Sequence, residues 1–308
     1  LEENKYLIDF SYNHNTFFKD PFKSKNNLSL ENLSSSLILY DSLITSIKDQ
    51  SILSEVCYRL GEVQFKIIHD FDNSLLLFQK ALNASPNRLM KQKIIIRIID
   101  THIAKGNPKK GKHFLLENKN FLTYNQVKEK SILCNMFMRN SFELVLSIDS
   151  VLSEIDLENP LFNDLMELKI FFSKYYSADN QNKSALTYFI KSEFYVKQKK
   201  IGDAINQLAY LIDNHPNSNI VSLAILRISL LYYKIGEYEK TIKYSSYLQN
   251  TEFEDQGIIL SGQTYQYKLN ELNKALNNYM KIINEFPQSI FFEPIRFHVR
   301  KLKEEEKI

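Results

Sequence analysis

The chain has 308 residues, 44% hydrophobic and 24% charged, with a formal net charge of +3. That is enough apolar material for a large buried core, disorder is not the expectation, and the charge is too weak to announce a nucleic-acid or membrane partner on its own. Seven Gly and seven Pro are too few turn residues for an all-β protein, so long helices with short connections are expected.

In chain order, residues 1–29 hold no sustained period and form an irregular lead. Its aromatics Phe10, Tyr12, Phe17, Phe18 and Phe22 are expected to pack on the body of the protein. Leu30–Lys48 reads as the second helix of a partial repeat. Residues 30–177 make an N-terminal block in which 88–177 keeps the character of helical hairpins with only fragments of a repeat pattern, Gly106 at a turn and Phe142 with Val145. The polar run Ser177–Ser184 is the expected hinge. Residues 184–288 form a C-terminal block, and 289–308 a capping helix with a charged outer face, as the end of a stacked array needs for solubility.

The stretch from Tyr232 to Leu248 shows the local rule. A helix over about Ile220–Ile235 places Leu223, Leu226, Leu230 and Tyr233 along one stripe, and Ile225, Ile228, Leu231 and Tyr232 widen it, so this helix is sandwiched between neighbours. Gly236 ends it through a positive φ. A second helix starts near Tyr238 and buries Ile242, Ser245 and Leu248. The pattern recurs. Ile201–Pro216, Tyr238–Phe253 and Leu272–Pro287 align without a gap, starting 37 and then 34 residues apart, and Phe71–Pro86 aligns as well. Each carries a small residue at its fourth position (Ser74, Ala204, Thr241, Ala275), where two helices must approach closely, and three of the four end on Pro. The first copy carries one extra residue near Ile67–Phe71.

These residues resemble the tetratricopeptide repeat (TPR) family. Its Leu-Gly pair is matched by Leu60 and Gly61, its turn by Tyr232, Gly236 and Tyr238, its second-helix Ala by Ala275, and its closing Pro by Pro86, Pro216 and Pro287. The match covers Ile52–Asn87 and Ser184–Gln288. The resemblance implies an all-α, right-handed superhelical solenoid of antiparallel helix pairs with about 14–15 helices. It also implies a non-catalytic scaffold for protein–protein interaction.

Nothing in the sequence supplies a catalytic constellation. His14, His69, His102, His113, His215 and His298 include no i, i+4 metal pair, and no phosphate-cradling Gly loop or nucleophile elbow occurs. Cys57 and Cys134 read as two buried thiols. No enzyme activity, cofactor or metal is therefore expected, and no apolar run is long enough for a membrane span.

The resemblance places the first helix of each pair on a concave face. Transferred to this chain, the groove is a ladder of one apolar and one basic rung per repeat: Phe65 with Lys66, Val196 with Lys197, Tyr233 with Lys234, Tyr267 with Lys268. Glu193, Arg227, Leu230 and Gln263 share it. Such a ladder suits a protein or peptide partner. RNA binding by a helical repeat is the alternative, disfavoured because Glu62, Glu193 and Gln263 interrupt the basic stripe; a docking region of a longer enzyme is another. Asn284–Leu302 is similar to the closing segment of TPR proteins from bacterial cell envelopes, which tilts localisation toward the periplasm or outer membrane over the cytoplasm. The opening at Leu1 leaves room for a lipid anchor upstream.

Overall fold

In the computed structural model, the residues described are 15–20, 22, 44–138, 141–176 and 180–305. Phe10 and Tyr12, residues 30–43 of the partial repeat, residues 177–179 of the expected hinge and the side chain of Phe142 lie outside them. Among the described residues there are no strands. The chain is an all-α array of helices packed in consecutive pairs.

In order, the helices are α1 (Gln50–Val63), α2 (Phe71–Asn83), α3 (Arg88–Ala104), α4 (Pro108–Asn118), α5 (Tyr124–Phe137), α6 (Ser141–Glu154), α7 (Phe162–Tyr175), α8 (Asn180–Lys197), α9 (Ile201–Asn214), α10 (Val221–Ile235), α11 (Tyr238–Ser246), α12 (Glu254–Tyr267), α13 (Leu272–Glu285) and α14 (Phe292–Glu305). The stretch expected as a hinge is helical from Asn180 onward. No helix among the described residues is long and apolar enough to cross a membrane.

Their ends follow from local chemistry. Asp49 accepts hydrogen bonds from the amides of Ser51 and Ile52 at 2.8 and 3.1 Å, Asp70 caps α2 through the amide of Asn73, and Asn87 caps α3 through that of Met90. Thr123 and Gln126 form a reciprocal capping box at α5. Pro108 opens α4, where a missing N–H costs nothing. The turns after α3 and α10 pass through Gly106 (φ 79°) and Gly236 (φ 85°), a left-handed backbone that other residues adopt only at a cost.

Chain contacts divide the described residues into two compact units, 15–172 with 193–200, and 173–192 with 201–305. They are called here the N-terminal and C-terminal units. In the N-terminal unit α1 packs on α2, α2 on α3, α3 on α4 and α5, and α4 on α5. In the C-terminal unit α9 packs on α10, α10 on α11 and α12, α11 on α12, α12 on α13, and α13 on α14. Contacts of α3 with α5 and of α10 with α12 set first helices of successive pairs side by side. The sandwiching expected of α10 is plain, since Leu223 through Ser229 is an unbroken buried run, which no one-faced helix shows. The cap α14 buries Ile295, His298, Val299 and Leu302, and carries Phe297 outward among charged residues.

The small residues Ser74, Ala204, Thr241 and Ala275 are all fully buried. In two pairs a second device joins them. A Cβ added to Gly61 would lie 2.5 Å from Phe78 Cε1, and one added to Gly262 would lie 2.6 Å from Tyr279 Cε1. Both glycines precede their ring by seventeen residues, so the sequence repeat is also a repeat of one contact: a second-helix ring lies flat on a first-helix glycine.

The extra residue expected in the first copy is not there. Gly61 precedes Ser74 by thirteen residues, as Ile228 precedes Thr241 and Gly262 precedes Ala275, and the left-handed turn residues His69, Gly236 and Asn270 each stand eight further on. α1 does end in a π-helical turn, Gln64–Ile68. In the shared register Lys66 matches Tyr233 and Tyr267, and Phe65, one position earlier, is buried.

Gly262→Ala is expected to lower unfolding stability by roughly 1–3 kcal/mol through overpacking. Adding Tyr279→Leu should restore part of the loss, giving a non-additive pair in a urea-unfolding double-mutant cycle. Additive losses would mean that the glycine and the ring do not act on each other.

Candidate peptide-binding faces

The twelve expected groove residues separate into two groups. Phe65, Lys66, Glu193, Val196 and Lys197 belong to the N-terminal unit; Arg227, Leu230, Tyr233, Lys234, Gln263, Tyr267 and Lys268 belong to the C-terminal unit. Half of them lie below the surface: Phe65, Glu193, Val196, Lys197, Arg227 and Gln263 are buried, and Glu193, Lys197, Arg227 and Gln263 are engaged within the protein. Lys66, Leu230, Tyr233, Tyr267 and Lys268 are half-buried and Lys234 is exposed. The cause differs between the units.

In the N-terminal unit, a chain of charges ties together three first helices. Glu62 on α1 pairs with Lys66 and with Arg97 of α3. Arg97 Nη1 donates to Asp100 Oδ2 at 2.9 Å. Asp100 Oδ1 accepts from Lys130 Nζ of α5 at 2.8 Å, and Lys130 also pairs with Glu129 at 3.1 Å. Arg97 lies over the Phe65 ring at 6.0 Å. Burial would raise the Asp100 carboxyl, but Lys130 and Arg97 more than offset it and hold it below its ordinary value. Burial would likewise discharge Lys130 and Arg97, and the facing carboxylates instead hold both cations firmly protonated. With Ile103, Leu133 and Lys197, these groups other than Glu62 line a cleft of about 350 Å³ whose remaining wall is Thr16, Lys19 and Asp20.

That wall is the chain's own N-terminal segment. Asn15 folds it into a single turn by accepting at its backbone carbonyl from the amides of Phe18 and Lys19 (3.1 and 2.9 Å) and at its side chain from the Phe17 amide (3.1 Å). Asn15 Nδ2 donates to the Asp164 carbonyl (2.9 Å) and to Glu167 Oε2 (3.1 Å) on α7, and Thr16 Oγ1 donates to the Asp164 carboxylate. Lys197 Nζ donates to the Lys19 backbone carbonyl. Phe17 and Phe18 are 0% and 2% exposed. Phe18 meets Phe171 edge-on at 5.1 Å, and Phe22 lies among Phe65, His69 and Phe71 with ring centres 4.9–5.7 Å away. Each such ring contributes roughly 1.5–3 kcal/mol on burial. Phe17, Phe18 and Phe22 thus do pack on the body, as expected of the lead. They lie against Phe65 and Lys197, one member from each of the two rungs, Phe65 with Lys66 and Val196 with Lys197, expected to face a partner.

In the C-terminal unit the arrangement is aromatic and basic. Lys268 Nζ lies over the Tyr233 ring at 5.9 Å, so rungs from successive first helices meet. Tyr233 also packs edge-on to Tyr238 at 5.9 Å. Behind them Tyr279 donates to Gln266 Oε1 at 2.8 Å, and His298 shares that oxygen at 2.9 Å. Lys234 reaches solvent, yet surrounding protein desolvates its ammonium and lowers its pKa to about 8.

No cluster of three or more His, Cys, Asp or Glu that could hold a metal occurs among the described residues. Cys57 and Cys134 are free and buried. Burial pushes the Cys134 thiol up to about 12 and also raises Cys57, the opposite of what a nucleophilic thiol needs.

Sequence reasoning missed Arg97, Asp100, Glu129 and Lys130, as well as the segment contacts of Thr16, Lys19 and Asp20. A signal was present. Arg97 and Asp100 stand three apart in the apolar run from Ile94 to Ile103, and a buried i, i+3 pair of opposite charges requires partners on adjoining helices.

Against known proteins, no protein-family model matches the chain, and no curated protein matches it. Among solved structures, the TPR domain of P58(IPK) aligns over 89% of this chain and 94% of that one, at 11% identity and a TM-score of 0.32. That score is too low to equate individual repeats, and the repeat architecture rests on the helix pairing and close contacts described above.

At pH 7 Asp100→Asn should cost about 3–5 kcal/mol, because it leaves Lys130 buried with a weakened partner. The Asp100 pKa is depressed in the fold, so its contribution is complete above the ordinary carboxylate value of about 3.9 and is lost as pH falls through the folded value. Urea midpoints of wild type and variant should therefore lie far apart at pH 7 and converge below about pH 4.

Proposed function

We propose that this protein is a non-catalytic helical-repeat scaffold that binds an extended segment of another protein through the first-helix face of its C-terminal unit. The observation that carries the reading is the meeting of Tyr233 and Lys268 across α10 and α12. Leu230, Tyr233 and Tyr267 supply half-buried apolar surface, Lys268 supplies a cation over the Tyr233 ring, and Lys234 adds an exposed one on the same helix as Tyr233. A partner with apolar side chains and nearby carboxylates suits this arrangement. The similarity of Asn284–Leu302 to envelope TPR proteins favours a place within a bacterial cell-envelope assembly.

Protein is favoured over RNA by the N-terminal unit, where Glu62, Asp100 and Glu129 neutralise Lys66, Arg97 and Lys130. An RNA-binding stripe needs those cations for phosphates.

The test is a peptide array screened with the full chain and with a Tyr233→Ala/Lys268→Glu variant whose unfolding midpoint is unchanged. Peptides combining apolar and acidic residues should be selected, and the variant should bind them at least tenfold more weakly, the 1.4 kcal/mol or more expected from losing a ring contact and reversing a charge. Equal binding by the variant would remove this face from consideration.

A further inference from the structure

We propose that the first-helix face of the N-terminal unit is a second peptide-binding groove, whose resident ligand is the chain's own Asn15–Phe22 segment. The partner class is a short peptide that repeats its pattern: an adjacent aromatic pair followed, four residues after the second ring, by another aromatic. This goes beyond the reading of the C-terminal unit, because the residues and the unit are different.

Three features distinguish the segment from an ordinary piece of core. It is short and it is not a helix; a single turn closed by Asn15 is its local structure. It is held by the means that proteins use for peptides, with a helix side chain, Lys197, reaching its main chain and rings entering separate sites. Lys197 donates to the Lys19 carbonyl, which any residue at that position would present. Specificity lies in the rings: Phe18 on Phe171, and Phe22 between Phe65 and Phe71. The Asn15 and Thr16 contacts with Asp164 and Glu167 fix the register at one end, and the Asp20 side chain, accepting from the Phe22 amide at 2.9 Å, shapes the other.

The wall behind the segment does not depend on it for charge balance. Glu62, Lys66, Arg97, Asp100, Glu129 and Lys130 pair with one another, so unseating the segment leaves these six charges compensated and takes from Lys197 its bond to the Lys19 carbonyl. Lys199, 5.3 Å over the Phe22 ring, adds a cation at the rim. An intramolecular ligand faces its site at an effective concentration of roughly millimolar. A peptide in trans therefore competes poorly until the tethered segment is weakened.

The probe is a fluorescein-labelled peptide of the sequence from Asn13 to Lys23, followed by anisotropy with the full chain. Wild type should bind it at least tenfold more weakly than the full chain carrying Phe17→Ala, Phe18→Ala and Phe22→Ala. A peptide with the same three substitutions should not bind the variant, and Lys197→Met in the variant should reduce its binding. Equal binding by wild type and a folded variant, or none by either, would overturn the proposal. Should the triple variant fail to fold, a protease site placed between Lys25 and Asn26 of the wild-type chain allows the segment to be cut free. Native mass spectrometry should then show it exchanging with excess labelled peptide, and a segment that never exchanges is core, which also overturns the proposal. Neither outcome alters peptide binding at Tyr233 and Lys268, so the two readings fail separately.

Discussion

The structure depends on how closely two helices of one pair can approach. Where the first helix carries Gly61 or Gly262, the second lays Phe78 or Tyr279 across it with no room for a methyl group. At the same register in the pair α10–α11 stand Ile228 and Ser245, both buried: large and small have changed places and the summed volume is kept. Interiors packed to crystal-like density tolerate that exchange far better than a change in volume. Once the approach within each pair is fixed, the spacing between neighbouring first helices follows. Arg97 can then reach Glu62, and Lys268 can reach Tyr233.

The two units use that spacing for different chemistry. In the N-terminal unit the first helices are linked by paired charges, and removing two charges from water costs several kcal/mol per ion unless each finds good partners. Asp100 has two cationic partners and Arg97 two carboxylates, so the cost is met inside the network. In the C-terminal unit the corresponding groups are rings with lysines near them, and Lys234 is desolvated enough to lower its pKa. A lysine in that condition gains more from an incoming carboxylate than a fully hydrated one does.

The helical hairpins were legible from the sequence because their signals are local: apolar residues three and four apart, Gly236 at a helix exit, small residues at a fixed place in four aligned segments. Helix entries carry signals of the same local kind, Asp49, Asp70 and Asn87 as caps, which the apolar period alone does not report. The face of Phe65 was not. Anchored on its Phe-Lys pair, the first copy reads as one residue too long, whereas anchored on Gly61 and Ser74 it has the common spacing, and there Lys66 rather than Phe65 matches Tyr233 and Tyr267. Arg97, Asp100 and Lys130 escaped because the block from Arg88 to Lys183 lacks the repeat's marker residues, and without them no register aligns three first helices. The polar character of Glu193, Arg227 and Gln263 read as surface, whereas in sandwiched helices a polar side chain can be buried if adjoining elements satisfy it.

A face built to hold a short peptide does not distinguish in kind between a segment of its own polypeptide and one from elsewhere. The difference is concentration. For the N-terminal unit the covalent tether keeps Phe17, Phe18 and Phe22 at hand, and the face is saturated whatever partners are near, provided the intrinsic affinity is better than roughly millimolar. The three buried rings do not by themselves offset the cost of ordering eight residues, about 1–2 kcal/mol per residue fixed, so the seat also depends on the hydrogen bonds of Asn15, Thr16 and the Lys19 carbonyl. A segment held in this way is displaceable by a competitor with the same rings and a better fit. The pairing of Glu62, Lys66, Arg97, Asp100 and Lys130 beneath it stays intact on displacement, and an incoming main-chain carbonyl would take the place of that of Lys19 on Lys197, so the groove can change occupants without destabilising the helices that form it.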